Sequence, residues 1–433
     1  MTDTGWISSV MTAARPQAVA ALLRYFRDLD TAEEAFQEAC LRALKSWPKN
    51  GRPRDAASWL IMVGRNAGLD GKRRQVRERP LPPEELISDL SDAETALAES
   101  IDQTGYRDDI LRLLFVCCHP ELPATQQVAL ALRIVSGLSV KQIARAFLVS
   151  EDAMEQRITR AKARVAQANI PFEAPGVIER AERVAAVIAM IYLVFNEGYT
   201  TASSKRGDRS DLCSEAIRLS RLLLSLYPAE PEVIGLTALL LFQDARAAAR
   251  FDTSGAAILL DDQNRALWDR RQIAEGLALI DKAVRHGRPG PYQVQAAISA
   301  IHARAVRHED TDWAQIDLLY GTLERMQPSP VVTLNRAVAV SKVRGPVDAL
   351  AMIEPLAGKL DRYFYFHGAR GAFLLQLGRA LEARVAFNRA IALANTPAEA
   401  AHVRMHLDKI TEASSSPVEK SIAAVGLTGP KAS

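Results

Sequence analysis

Apolar residues recur three and four positions apart along nearly the whole chain, and no segment alternates apolar and polar residues over the length of a β-strand. This spacing is typical of helices that bury one face. It predicts an all-α protein. Because the chain has 433 residues, more than a single hydrophobic core usually supports, we expect several domains.

Three interruptions break the helical pattern, and the last two mark the expected domain boundaries. Two prolines, a glycine and an asparagine predict a loop of about nine residues from Trp47 to Asp55. The stretch from Arg79 to Gln103 is rich in carboxylates and opens with prolines, which predicts a linker. Further prolines interrupt the helical pattern between Gln167 and Pro175, directly after the second helical domain. The predicted parts are a helical domain over 1–78, an acidic linker over 79–105, a second helical domain over 106–170, a long helical extension over 176–412 and a disordered tail over 413–433.

Composition points to the cytoplasm and away from a membrane. The formal net charge is only +3, so any nucleic-acid surface must come from local clusters. Four cysteines are too few for a disulfide framework, and the N-terminus lacks a secretory pattern, so we expect a cytoplasmic protein. The longest apolar run, residues 184–195, has about 12 residues where a membrane span needs about 20, which predicts a buried core helix.

A helix-turn-helix is the clearest local motif, with the sequence GLSVKQIARAFLVSEDAMEQRITRAKARV from Gly137 to Val165. Leu148 to Ser150 are expected to form the turn, and Ser150 is placed to cap the second helix. Apolar residues at steps of four, three and four define the buried stripe of that second helix. They are Met154, Ile158, Ala161 and Val165.

The opposite face of this second helix suits duplex DNA. Gln156 and Thr159 point away from the buried stripe with Arg160 beside them, where short and amide side chains fit base edges. Arg157 and Arg164 flank this face and are better placed for phosphates. Basic residues on an exposed helix face can also simply be solvated.

Residues Asp28 to Leu44 predict an amphipathic helix whose outer face is acidic. Such a face would repel DNA, so it indicates a basic protein partner, unless it is merely solvated. The residues expected on it are Glu33, Glu34, Gln37 and Glu38.

A basic patch with aromatic neighbours follows that helix. Arg65 to Arg79 contains six basic residues against two acidic ones, with Trp59 nearby and Trp47 in the preceding loop. Aromatic rings stack on unstacked bases while cations hold the phosphates. The combination indicates binding to opened DNA.

Three segments in order carry a family resemblance: DTAEEAFQEACLRALKSWP, AASWLIMVGRNAGLD and LPATQQVALALRIVSGLSVKQIARAFLVSEDAMEQRITRAK. They resemble the two domains of extracytoplasmic-function sigma factors. The chain is also similar to the subgroup with a long C-terminal helical extension, through FVCCHP (Phe115 to Pro120) and YLVFNEGY (Tyr192 to Tyr199). The resemblance implies two partners, core RNA polymerase and promoter DNA, and no cofactor.

The resemblance also implies roles for particular residues. The acidic face matches the surface that docks on the β′ clamp of the polymerase, and the helix-turn-helix domain is expected at the β flap. The Trp47 to Asp55 loop matches the loop that captures a flipped base of the minus-10 element, with Trp47 and Asn50 as the expected captors. The implied minus-10 contacts are Trp47, Asn50, Arg52, Trp59, Arg65, Asn66, Arg73 and Arg74, and the implied minus-35 contacts are Gln156, Arg157, Thr159, Arg160 and Arg164.

Two interpretations of the acidic linker are open, and the first follows from the same resemblance. In such factors the chain between the domains threads the active-centre cleft and the RNA exit channel, where carboxylates can mimic RNA phosphates. A solvated tether is the alternative.

The extension carries an internal pattern of small and aromatic residues that resembles a tetratricopeptide unit of about 34 residues. A weaker copy lies upstream, which predicts stacked helix pairs, although alanine-rich hairpins of other families give a similar pattern. We expect this module to regulate the two sigma domains in cis, through an intramolecular contact or with a small accessory protein. The positions are Gly371, Gly378, Ala383, Phe387 and Ala390, and upstream Ala337, Gly345 and Ala349.

Two other classes of function are less consistent with the sequence. A stand-alone repressor with a ligand-sensing repeat domain would leave the acidic helix and the aromatic-basic patch unexplained. An enzyme is not indicated, because HExxH, GxxxxGK[ST], GxGxxG and GxSxG are all absent. Cys117, Cys118 and His119 are consecutive and lack the usual ligand spacing, so we expect a helix end with buried cysteines rather than a metal site.

Overall fold

The computed structural model describes residues 5–76, 103–147, 149–167, 177–200, 210–252 and 258–394, together with a few positions up to residue 408. These residues form α-helices and short 3-10 helices and no β-strand, so the predicted all-α class is confirmed. Within those ranges, no helix is long and apolar enough to cross a membrane. Most of the predicted acidic linker, the break after the helix-turn-helix and the predicted tail lie outside the described residues.

The chain divides into two compact units. The first comprises Met1–Thr200 and Gly207–Leu226, and the second comprises Thr201–Arg206 and Tyr227–Ser433. Each unit has its own buried apolar core.

The first unit begins with three helices, here called the N-terminal bundle: α1 (Gly5–Phe26), α2 (Leu29–Asn50) and α3 (Ala56–Val76). The Asp28 carboxylate caps α2 by accepting from the Thr31 amide at 2.8 Å. The helices pack closely because α3 offers glycines to its neighbours. A Cβ added at Gly68 would lie 2.4 Å from the ring carbon Cζ of Phe26.

Four helices form the helix-turn-helix bundle: α4 (Gln103–Cys117), α5 (Ala124–Ile134), α6 (Val140–Ala146) and α7 (Glu151–Gln167). A helical hairpin, α8 (Val177–Thr200) and α9 (Ser210–Leu226), completes the first unit. The predicted helix over residues 184–195 is confirmed within α8, where seven of its twelve apolar side chains are buried, whereas Leu193 is 44% exposed.

The second unit consists of helices joined by short turns. They are α10 (Pro231–Asp244), α11 (Arg270–Val284), α12 (Pro291–Arg304), α13 (Trp313–Met326), α14 (Pro330–Val343), α15 (Pro346–Ile353), α16 (Ala357–Leu360), α17 (Phe364–Gln376) and α18 (Ala380–Leu393). Consecutive helices pack in pairs, the arrangement expected of a helical repeat.

The tetratricopeptide-like pattern predicted in this unit corresponds to two such pairs. In the α17–α18 pair, Gly371 faces Phe387, and a Cβ on the glycine would lie 2.6 Å from the phenyl ring. Gly345 and Gly378 provide the turns between helices with φ of 96° and 73°, backbone angles that favour glycine. Helix pairing through these residues therefore confirms the predicted repeat geometry.

Candidate functional site

The helix-turn-helix is built by local capping and by one apolar stripe. The Ser139 hydroxyl accepts from the Gln142 amide at 3.2 Å while the Gln142 side chain accepts from the Ser139 amide at 2.8 Å, a capping box at the start of α6. The Ser150 hydroxyl accepts from the Ala153 amide at 3.2 Å, which confirms Ser150 as the cap of α7. Three of the four stripe positions on α7, Met154, Ile158 and Ala161, are buried, and Val165 is half-buried.

The outer face of α7 is open to solvent. Gln156, Thr159, Arg160 and Arg164 are exposed, and Arg157 is half-buried. An exposed helix with amide, hydroxyl and guanidinium groups along one side has the dimensions and donors to enter a major groove.

A second polar surface lies where α3 meets α1. Arg65 and Asn66 are exposed on α3, and the Arg65 guanidinium lies 4.6 Å above the ring of Tyr25, which is itself 43% exposed. The sequence does not predict the contact of Tyr25 with Arg65, because the ring comes next to Arg65 only through the packing of α1 on α3. Nothing in the local sequence around Tyr25 signals that contact.

The remaining residues predicted to contact the minus-10 element differ in their exposure to solvent. Asn50 and Arg52 are exposed at the end of α2 and in the turn after it, and Trp59 is half-buried on α3. Arg73 and Arg74 lie in α3, but their side chains are outside the described residues.

The predicted loop from Trp47 to Asp55 is wrong in its first half. Helix α2 continues through Pro48 to Asn50, and Gly51, with φ of 84°, ends it. Trp47 is only 2% exposed and packs between Trp6, with ring centroids 6.1 Å apart, and Trp59, at 5.3 Å. Burying a large indole offsets the roughly 3 kcal/mol cost of a proline inside a helix. Trp47 is therefore a core residue here and is not accessible to a base.

The acidic face of α2 is smaller than predicted. Glu34 and Gln37 are exposed, and Glu38 is half-buried with its carboxylate 3.0 Å from Arg42. The expectation that Glu33 shares this outer face is wrong, because its side chain is only 5% exposed. A helical pattern shows which residues are polar, but it does not show that another bundle covers one of them.

Glu33 instead lies at the centre of a buried cationic cluster. Its carboxylate is 2.9 Å from Arg133 Nη2, 2.9 Å from Lys162 Nζ and 3.6 Å from Arg15 Nη2. Lys162 also contacts the Asp30 carboxylate at 2.6 Å. Arg15 and Glu33 belong to the N-terminal bundle, whereas Arg133 and Lys162 belong to the helix-turn-helix bundle.

The same contact continues along the backbone. Arg15 donates to the carbonyl oxygens of Ile134 at 2.8 Å and Arg133 at 3.1 Å, at the C-terminal end of α5. Cations are favoured there because helix C-termini carry unpaired carbonyls and partial negative charge. Gly137 permits the approach, since a Cβ at this position would lie 2.7 Å from Arg15 Cδ. The ion cluster and these backbone contacts therefore belong to one continuous interface between the two bundles.

Burial disfavours the charges of both Arg15 and Lys162, but the net change in pKa is opposite for the two residues. Burial lowers the pKa of Arg15 below its ordinary value, and Glu33 opposes that change. For Lys162, burial also disfavours the charge, but hydrogen bonds to Asp30 and Glu33 outweigh it and hold the pKa above its ordinary value. Lys162 thus gains its charge stabilisation from the N-terminal bundle.

The helical hairpin after the helix-turn-helix contacts it directly. Helix α8 packs against α4 and α5, and the Arg183 guanidinium on α8 lies 5.8 Å from the ring centroid of Phe115 on α4. The first helix of the predicted extension is therefore part of the same compact unit as both bundles.

Cys117 and Cys118 lie buried at the end of α4, as predicted. Burial raises the pKa of Cys117 far above its ordinary value and that of Cys118 to about 12. Among the residues that the structure describes, no group of three or more histidine, cysteine, aspartate or glutamate side chains is arranged to hold a metal ion.

Three family models match the chain in sequence order. Sigma-70 region 2 matches residues 10–78, sigma-70 region 4 matches residues 112–165, and a family of unknown function (DUF6596) matches residues 183–284. The first match coincides with the N-terminal bundle and the second with most of the helix-turn-helix bundle. The third begins in α8.

Comparison with known proteins adds two relatives and one structure. An uncharacterised protein of Rhizobium meliloti (strain 1021) is 70% identical over 410 residues, which span 95% of this chain and 97% of that protein. A probable RNA polymerase sigma factor, RfaY, of Xanthomonas campestris pv. campestris is 28% identical over 159 residues, 36% of this chain and 38% of that protein. The crystal structure of yeast Tom70 aligns with 97% of this chain and 89% of its own at 14% identity, but the TM-score of 0.38 supports no conclusion.

Proposed function

Because this chain belongs to the extracytoplasmic-function sigma factors of the sigma-70 family, we propose that it binds core RNA polymerase and directs transcription from promoters whose minus-35 and minus-10 elements it reads. The protein works on the chromosome in the cytoplasm and performs no catalysis of its own. The observation that carries this proposal is the presence, in order, of both sigma-70 regions on two folded bundles.

The minus-35 element is read by α7. Gln156, Thr159 and Arg160 contact base edges, while Arg157 and Arg164 hold phosphates on either side. The exposure of this face and the fixed start of the helix at Ser150 support these roles.

The minus-10 element is bound by the surface around α3. Asn50, Arg52, Trp59, Arg65 and Asn66 remain the proposed contacts, with Arg73 and Arg74 further along the helix. Since Trp47 is buried, we assign the exposed aromatic ring of this surface to Tyr25. Its stack with Arg65 offers both a ring for an unstacked base and a cation for its phosphate.

The polymerase surface is the acidic face of α2. Its exposed or half-exposed members, Glu34, Gln37 and Glu38, meet the basic coiled coil of the β′ clamp, while the helix-turn-helix bundle meets the β flap. Glu33 joins this face only if the cover supplied by the second bundle is removed.

Replacing Glu34 and Glu38 together by lysine should weaken binding to core polymerase by at least tenfold. Two attractive contacts become repulsive, and the effect should shrink as salt increases. Binding is measured by fluorescence anisotropy of the labelled full chain titrated with core enzyme. The matched control carries Asp262→Lys and Asp348→Lys, the same charge change at exposed positions of the second unit. Equal affinities of the two double variants would contradict the proposed polymerase surface.

The extension regulates the sigma bundles in cis, and α8 is its point of attachment. The packing of α8 on α4 and α5 supports this proposal. A chain ending at Leu226 retains the α8–α9 hairpin, whereas one ending at residue 175 loses it. We expect polymerase-dependent transcription to differ among these two chains and the full-length protein. Identical activity of all three across several promoters would contradict regulation in cis.

A further inference from the structure

Arg265 is a buried cation of the second unit that forms no ion pair with any described carboxylate. The residue is only 8% exposed, and its Nη1 donates to the backbone carbonyl oxygens of His302 at 2.6 Å and Ala305 at 2.7 Å. These two bonds satisfy part of the guanidinium but do not neutralise its charge. Buried arginines are usually paired, because an isolated charge is costly in an apolar interior.

The carboxylate that attracts Arg265 most strongly is engaged by other cationic groups. Burial lowers the pKa of Arg265, and Asp261 is the largest influence that opposes this change. The Asp261 oxygens, however, lie 3.3 Å from His308 Nδ1 and 3.4 Å from Lys342 Nζ. Within the described part of the chain, no anion is therefore in direct contact with Arg265.

Three buried nitrogen atoms of this region have no hydrogen-bond partner among the described residues. They are Arg265 Nη2, Trp268 Nε1 and His302 Nδ1. Their residues are in contact, because the guanidinium lies 4.8 Å from the Trp268 ring centroid and bonds the His302 carbonyl. An unsatisfied buried polar atom is destabilising, and native proteins pair nearly all of them. Three such atoms next to an unneutralised charge indicate a site for a ligand.

The chemistry of these three atoms restricts the ligand. Arg265 Nη2 and Trp268 Nε1 can only donate hydrogen bonds. Burial, assisted by the positive charges of Arg246 and Arg265, lowers the pKa of His302 to about 4, so near neutral pH its ring is uncharged and Nδ1 can carry the single proton. Three donors around one positive charge suit an oxyanion with one negative charge. A phosphate monoester brings nearly two negative charges and fits less well.

We propose that Arg265, Trp268 and His302 form a carboxylate site, which binds the carboxylate group of a small organic acid. Arg265 Nη2 donates to one carboxylate oxygen, and the ring nitrogens of Trp268 and His302 supply the other donors. Trp313 is half-buried, and its ring centroid lies 5.3 Å from that of His302, so it offers an apolar surface to the body of the acid. The site is independent of the proposed sigma function, because binding to it is measured without polymerase.

The indole N–H resonances of the wild-type full chain test this site directly. Trp268→Phe identifies the Trp268 signal in the isotope-labelled protein, because that signal disappears from the spectrum of the variant. The probes are sodium acetate, propionate and benzoate, each compared with sodium chloride at the same concentration. We expect the carboxylates to shift the Trp268 signal progressively. The signals of Trp6, Trp47 and Trp59, which belong to the first unit, should not move.

Thermal unfolding of the full chain provides a second measurement. With a dissociation constant of about 5 mM, acetate at about 50 mM should raise the unfolding midpoint of the second unit by about 3–6 °C relative to sodium chloride. Arg265→Gln should abolish this gain, because it removes the charge that attracts the carboxylate. Arg271→Gln makes the same charge change at an exposed position of α11 and should retain the gain in full.

Each result either supports the carboxylate site or overturns it. If acetate, propionate and benzoate all leave the Trp268 resonance of the wild-type chain unchanged, the site is wrong, and this holds even where Arg265→Gln does not fold. Equal gains in midpoint for Arg265→Gln and Arg271→Gln would also overturn it. A gain from inorganic phosphate that exceeds the gain from every carboxylate and is lost in Arg265→Gln would contradict the assignment to organic acids.

Discussion

Replacing Glu33 by glutamine should lower the thermal unfolding midpoint of the first unit by roughly 6–20 °C. The substitution leaves Arg15, Arg133 and Lys162 around a neutral amide, so three cations in and around a largely buried site lose their shared carboxylate. Removing one partner of a buried ion pair costs about 3–5 kcal/mol, and about 1 kcal/mol shifts the midpoint by about 2–4 °C in a unit of this size. Differential scanning calorimetry of the full chain measures the change.

The neighbouring residue supplies the control. Glu34→Gln makes the same chemical change one position further along α2, where the side chain is exposed, and should alter stability by less than about 0.5 kcal/mol. Equal midpoints for the two variants would mean that Glu33 is not an essential partner of the buried cations. Because the Glu33 carboxylate contacts side chains of both bundles, we also expect Glu33→Gln to let the two bundles separate at temperatures below the unfolding midpoint.

Replacing Arg160 by alanine should reduce transcription from a minus-35-dependent promoter by about tenfold or more. Arg160 is exposed beside Gln156 and Thr159 on α7, and a well-placed contact from a side chain to a base edge contributes about 1–3 kcal/mol to discrimination between bases. The loss should be largest on the preferred minus-35 sequence and small on a scrambled one. Single-round transcription on both templates measures the ratio.

Two further positions on the same helix distinguish base reading from other effects. Arg164→Ala should weaken DNA binding by a similar factor on both templates and lower the dependence of log affinity on log salt by about one, as expected for a phosphate contact. Glu155→Ala, also exposed on α7, should cause no loss. A tenfold loss of transcription in Glu155→Ala would show that substitutions on α7 damage the helix itself. An equal loss of transcription on both templates in Arg160→Ala would show that Arg160 does not read bases.

The features predicted correctly from sequence are those set by neighbouring residues. The cap at Ser150 and the stripe of Met154, Ile158 and Ala161 need only the spacing within one helix. The helix pairing at Gly371 and Phe387 follows from a repeated pattern of small and aromatic residues. Each of these signals lies within about 34 residues of sequence.

The features that were missed depend on contacts between distant parts of the chain. Pro48 predicts a loop at Trp47, but packing against Trp6 and Trp59 keeps Trp47 helical and buried. The amphipathic pattern of α2 predicts that Glu33 faces solvent, but Lys162, 129 positions later, covers it. Helical periodicity carries no information about which polar face another domain will occupy.

The closest test of the sigma assignment is in vitro transcription with purified core RNA polymerase and the full chain on the host's candidate promoters. We predict transcripts from particular promoters that are absent with core enzyme alone, and we predict that Glu34→Lys combined with Glu38→Lys reduces them at least tenfold. Specific operator binding by the protein alone, with no promoter-specific transcript from any host promoter, would contradict the assignment.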